Sequence, residues 1–115
     1  MKAIGAGCAR AGLHLILQSV LVVWSHPMIH VLALITAHAG MRDRILEAWR
    51  ANAAAVRAEA GCIAYDAVID VHDGAPGFAR FGTDTFVVVE RWESMEELQA
   101  HAVAPHMKAY AAKVR

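Results

Sequence analysis

The sequence predicts an α+β fold of the ferredoxin-like kind, an antiparallel sheet with helices on one face. Two observations predict it. Segments of period-2 and helical spacing follow one another as strand, long helix, strand, strand and two short helices. A turn-rich stretch then joins the second and third strands without room for a crossover helix, so that pair is antiparallel. The pattern is ferredoxin-like with its last strand missing. At 115 residues, with 57% hydrophobic and 19% charged, the chain has the size of one domain and ample material for a core.

Residues 1–27 read differently from the rest. Lys2 and Arg10 precede an apolar run from Leu13 to Trp24, interrupted by His14 and Gln18. As a helix that run would span roughly 18 Å, short of the ~30 Å core of a bilayer, so no transmembrane helix is expected. Three readings stand: an upstream extension before a domain that begins at Met28, a secretory signal, or an extra edge strand. Against the signal, no Ala-x-Ala site follows the apolar run.

From Ile29 to His38 β-branched and aliphatic residues predict a strand covered on both faces. Gly40 ends it. Met41 to Ala60 shows helical spacing, with Ile45, Trp49, Val56 and Ala60 inward and Arg42, Asp43, Glu47, Arg50, Arg57 and Glu59 outward. Gly61 supplies the stop. Cys62 to Val71 alternates as a second strand, Ile63, Tyr65, Ala67, Ile69 and Val71 on one face and Asp66 and Asp70 on the other. His72 to Gly82, with Asp73-Gly74 and Pro76-Gly77, is the connecting loop. Thr85 to Trp92 is the third strand. Ser94 and Glu97 form a capping box for a helix from Met95 to about Ala102. Pro105 opens another helix with a stripe of Met107, Tyr110, Ala111 and Val114.

Eleven basic residues balance eleven acidic ones, which gives no field to draw nucleic acid or an anionic membrane. Two cysteines, Cys8 and Cys62, make neither a disulfide framework nor a Cys-x-x-Cys motif, and Cys62 has no activating neighbour in sequence. Seven histidines raise the question of a metal. His30 and His38 would be roughly 26 Å apart on a strand, and His101 and His106 are split by a proline break. No metal is expected.

His101 lies on the inward face of its helix, where the plain reading is a core-edge histidine bonded to a backbone carbonyl. His106 sits in a first turn, where the helix dipole favours a neutral imidazole that can accept a proton. Trp92, at a strand end, either fills core or walls an apolar pocket with its indole N–H offered to a ligand oxygen. Tyr65 has the same two readings. Trp49 and Met107 read as packing.

Four runs carry a resemblance: Met28-Ile29-His30-Val31, the stretch from Arg57 to Tyr65, Val89-Glu90-Arg91-Trp92, and His101 through Pro105-His106-Met107. In this order and spacing they resemble the antibiotic biosynthesis monooxygenase (ABM) domain over about residues 28–110, nearest its small quinol monooxygenases. The resemblance implies a dimeric α+β barrel, hence a homodimer, with residues 28–115 as the domain. It implies an apolar pocket in each subunit and oxidation of a small aromatic quinol or phenol by molecular oxygen, with no cofactor. By the same resemblance His106 or His101 takes the proton, Trp92 orients the substrate and Tyr65 lines the pocket. Ala33, His101 and Ala111 stand where haem-degrading members carry asparagine, tryptophan and histidine, which argues against haem. An isomerase or lyase acting on a small carbonyl compound, and a non-catalytic ligand-binding dimer, are the alternatives. The expected location is the cytoplasm, with no membrane or nucleic-acid partner. The family's fourth strand would follow Arg115. Without it the edge of Ile29–Ala37 would lie bare, unless Leu13–Val23 folds back through Ser25-His26-Pro27 to cover it.

Overall fold

The structure is a computed structural model that describes residues 2–3, 15–71 and 76–115. Among these residues five antiparallel strands form one sheet in the order β1-β2-β3-β5-β4. They are β1 (Lys2–Ala3), β2 (Leu15–Ser25), β3 (Met28–Ala37), β4 (Cys62–Val68) and β5 (Thr85–Trp92). The helices are α1 (Arg42–Arg57), α2 (Met95–Ala102) and α3 (Pro105–Val114). None of the described helices is long and apolar enough to cross a membrane. Cys8, His14 and the Asp73-Gly74 turn signal lie outside the described residues.

The strand β3 is central. Its odd-numbered residues from Ile29 to Ala37 are buried and its even-numbered ones only half so, the alternation of a strand with one face in a core. That face meets Ile45, Trp49, Ala53 and Val56 of α1, Phe86, Val88 and Trp92 of β5, and Tyr65 of β4. On its outer edge β2 pairs with it from Ser25↔Met28 to Leu15↔Ala37. The hairpin through His26-Pro27 therefore covers the edge that would otherwise be bare. Residues 15–25 are a strand of the sheet.

Several expectations are corrected by local geometry. The long helix ends at Arg57, with Ala58 as its cap, rather than at Ala60. Ala60 is exposed, and Glu59, freed from the helical screw, turns inward instead of lying on the outer face. The strand after Gly61 starts with an irregularity: Cys62 pairs with Trp92 and Ala64 with Arg91, so Ile63 is bulged out and 42% exposed. Its far end is Val68, not Val71. Asp70 there accepts hydrogen bonds from the backbone N–H of Phe81 (3.0 Å) and Gly82 (2.8 Å), tying the loop, and leaves Ile69 and Val71 exposed. Those bonds also hold the Asp70 carboxyl below the usual carboxylate range. His38 falls just beyond β3.

The third strand, the second helix and the proline-opened third helix have the bounds their sequence signals indicate. Ser94 Oγ accepts from the Glu97 backbone N–H (3.4 Å) and lies 2.8 Å from Glu97 Oε2. Gly61, at φ +79°, is needed twice: its backbone is left-handed, and a Cβ would collide with the Glu97 carboxylate. Gly61 lies three residues past the Ala58 cap, so it turns the chain into β4 and leaves room for the first turn of α2.

Candidate active site

A cavity of about 470 Å³ opens between the helices and the inner face of the sheet. Val31, Ala33 and Ile35 of β3 form its floor, Val20 and Val22 of β2 one side, and Leu98, Met107 and Tyr110 the helical side. Its polar lining includes Glu90 and His101. The size suits a small organic ligand, and a mostly apolar wall with few polar groups is the usual makeup of such sites.

Strand parity carries Glu90 there. Val88, Glu90 and Trp92 alternate on the inner face of β5, opposite Ala33, Val31 and Ile29. Glu90 is 6% exposed, and burial, foremost, raises its carboxyl above the usual range. Its Oε1 accepts the indole N–H of Trp92 at 2.9 Å. It lies 3.8 Å from His101 Nε2, too long for a hydrogen bond.

His101, 5% exposed, is not bonded to a backbone carbonyl. Its Nδ1 is 2.9 Å from Glu59 Oε2, and the same oxygen is 2.8 Å from His106 Nε2. One carboxylate oxygen thus joins two histidines from two helices. An ionised carboxylate only accepts, so each of these ring nitrogens is the donor. Three aromatic rings hold His101 in place: Trp92 at 4.7 Å between centroids and Tyr65 edge-on at 5.8 Å, with Trp49 stacked in turn on Tyr65 at 5.1 Å. Burial, with Glu90 nearby, pushes the Tyr65 phenol well above its ordinary value. Burial also raises the Cys62 thiol, the direction that favours an unreactive cysteine.

Of the four residues singled out from sequence, His101 and Tyr65 line the cavity. His106 and Trp92 do not line it. His106 stands behind His101, on the far side of Glu59. Trp92 is fully buried with its N–H already engaged by Glu90, so its contact is with the imidazole. Among the described residues no group of His, Cys, Asp and Glu is arranged to hold a metal ion.

Residues 28–113 match the family model for antibiotic biosynthesis monooxygenase. The chain belongs to the antibiotic biosynthesis monooxygenase family. It is 34% identical over 90 residues to the probable quinol monooxygenase YgiN of Escherichia coli K12, covering 76% of this chain and 86% of that protein. Among solved structures it resembles PA3566 from Pseudomonas aeruginosa, with a TM-score of 0.60 at 31% identity over 76% of this chain and 78% of that one. Rv0793 from Mycobacterium tuberculosis is similar, with a TM-score of 0.60 at 28% identity over 76% and 79%.

Two residues of this candidate site escaped the reading of the sequence. The signal for Glu90 was there: an acidic residue two positions before Trp92 on a strand shares its face. Glu59 had no such signal, because its direction depends on where α1 stops.

Proposed function

We propose that this ABM protein is a monooxygenase that oxidises a small aromatic quinol or phenol with dioxygen, with His101 as the base. The observation that carries the reading is the orientation of the His101 ring. Its Nδ1–H donates to Glu59, which leaves Nε2 with a free lone pair at a cavity wall. A carboxylate that fixes one imidazole nitrogen and so presents the other is the arrangement of an oriented general base. Glu59 and His106 are positioning residues behind it. Tyr65 bounds the bound ring, and Trp92 holds the faces of Glu90 and His101 rather than touching substrate.

Deprotonation makes the aromatic ring electron-rich enough to pass an electron to dioxygen, and the two radicals then join at a ring carbon. For a hydroquinone the balance is quinol plus dioxygen to hydroxyquinone plus water. One oxygen atom enters at a ring C–H position and the other leaves in water. The quinol supplies all four electrons, so the proposed reaction draws on no further reductant or cofactor. The apolar walls keep water from the radical pair. The quinol class is supported by the likeness to the E. coli protein.

The active unit is read as residues 28–115, with the segment before it as an added edge, and as a homodimer. The described helices pack on the inner face of the sheet; the outer face carries Leu32, Leu34 and Val89, with Leu21 and Val23 each 51% exposed. A second copy laid on that face is the cover it fits.

The test is oxygen uptake by purified protein with a panel of hydroquinones and anthrones, with chelator present and autoxidation subtracted. Activity that falls about 100-fold in His101→Ala supports the reading; no uptake above the blank sinks it. A second reading has one observation in its favour. A carboxyl raised by burial beside an oriented imidazole is also an acid–base pair for isomerising a small carbonyl compound. Turnover that persists under nitrogen would select it.

A further inference from the structure

The cavity has a charged end that the chemistry proposed above does not use. Lys108 and Arg115 line it together with Glu90 and His101, but the four differ in burial. Glu90 and His101 are buried, whereas Lys108 and Arg115 are exposed and so mark the mouth. Lys108 lies on α3 and Arg115 directly follows its last residue. A spacing of seven is two helical turns, which puts both on one face, roughly 10.5 Å apart along the axis. Each follows a member of the inward stripe, Met107 or Val114, which also line the cavity. Their aliphatic stems can therefore lie along its wall while the charged heads stay at the rim. Neither side chain has a hydrogen bond or an ion pair among the described residues. On the strand side of the mouth stand Val20 and Val22, 49% and 47% exposed, with Gln18 half-buried near them. Among the described residues Glu90 is the one acidic group on the lining, and burial favours its neutral form. The two cations are thus not countered from within, and an apolar wall focuses their field into the cleft. One surface lysine would say little. Two unpaired cations on one helix face, set against an apolar strand across a cavity, specify a ligand.

We propose that Lys108 and Arg115 form an anion-binding rim that selects aromatic acids, the ring held inward toward His101 and the ionised group outward between the two cations. The proposal rests on the reading of this cavity as the substrate site, but it concerns binding and is tested without turnover. The probes are 2-naphthoate and naphthalene-2-carboxamide, which share a ring system and nearly a shape but differ in charge. Calorimetric titration of the full chain at pH 7 compares wild type with Lys108→Gln, Arg115→Gln and the double variant.

At low salt wild type should bind the naphthoate about 10-fold more tightly than the amide. Each single substitution should cost the naphthoate about 3-fold and the pair about 10-fold, the scale of exposed ion pairs, with amide affinity unaltered. High salt should shrink the preference, since charges at a mouth are screened. Both side chains are exposed, so Tm should stay where it is in all three variants. Equal affinities of wild type for the two probes, a preference that survives in the double variant, equal losses for both probes, or no binding of either would each overturn the proposal. Oxygen uptake fails or succeeds independently. A protein that prefers the naphthoate as described but consumes no oxygen with any quinol keeps this rim and loses the monooxygenase. Uptake with neutral hydroquinones and no charge preference does the reverse.

Discussion

Glu59 Oε2 accepts from His101 on α2 and from His106 on α3, and that shared oxygen ranks the two histidines. His101 faces the cavity, whereas His106 reaches it only through the carboxylate. His106→Ala should therefore cost about 10-fold in kcat where His101→Ala costs about 100-fold or more, with KM for the quinol little changed by the former. Steady-state oxygen uptake on both variants checks the order, and equal losses would return His106 to the role of base. Glu90 makes a different kind of prediction. Burial raises its folded pKa above the unfolded 4.5. Between those two values the native state keeps a proton that the unfolded chain has lost, so stability falls as pH rises through that window. Glu90→Gln keeps an acceptor for the Trp92 N–H and removes the ionisation. Its Tm at pH 7 should rise, with the gain gone near pH 4 and activity reduced. Thermal melts across that range decide it. Tyr65 and His101 were legible as site candidates because strand and helix parity alone point them inward. Glu59 was not, because two residues beyond a helix stop the screw no longer predicts a direction.

Elements were read best where a side chain closes its own signal. Thr85–Trp92 has a clear apolar run, the Ser94/Glu97 box starts α2, and Pro105 starts α3; each is a local rule that tertiary packing has no reason to override. The strand after Gly61 was read less well at both ends. A bulge at Ile63 shifts the parity, and Asp70 gives its oxygens to the loop. The strand β2 could be read three ways, since an apolar run does not say what it pairs with. In the structure it covers β3 over its whole length and walls the cavity with Val20 and Val22. Removal of residues 1–27 should then leave β3 with an open apolar edge and the protein in the insoluble fraction. A soluble, cooperatively melting variant would show that the sheet does not need this strand.

For the molecule as a whole, fold class followed from element order, while the assembly of the site did not. His101 and His106 lie 42 and 47 residues from the carboxylate that joins them, a distance that no spacing rule spans. The outer sheet face sets the prediction at this scale. If a second copy covers it, Leu34→Asp at its centre places a charge in an apolar interface and should convert a sedimenting dimer to monomer with the inner core intact. Velocity sedimentation of both proteins measures this, and an unchanged dimer would place the interface elsewhere.

The family match begins at Met28, yet Gln18, Val20 and Val22 line the same cavity as Glu90 and His101. Part of the cavity wall therefore lies outside the residues that match the family. Substitutions in β2 can reshape what fits without touching a residue inside the family match, so two proteins with the same signature runs can prefer different molecules. For enzyme engineering that makes the first strand of the hairpin the place to graft or randomise when a new substrate is wanted.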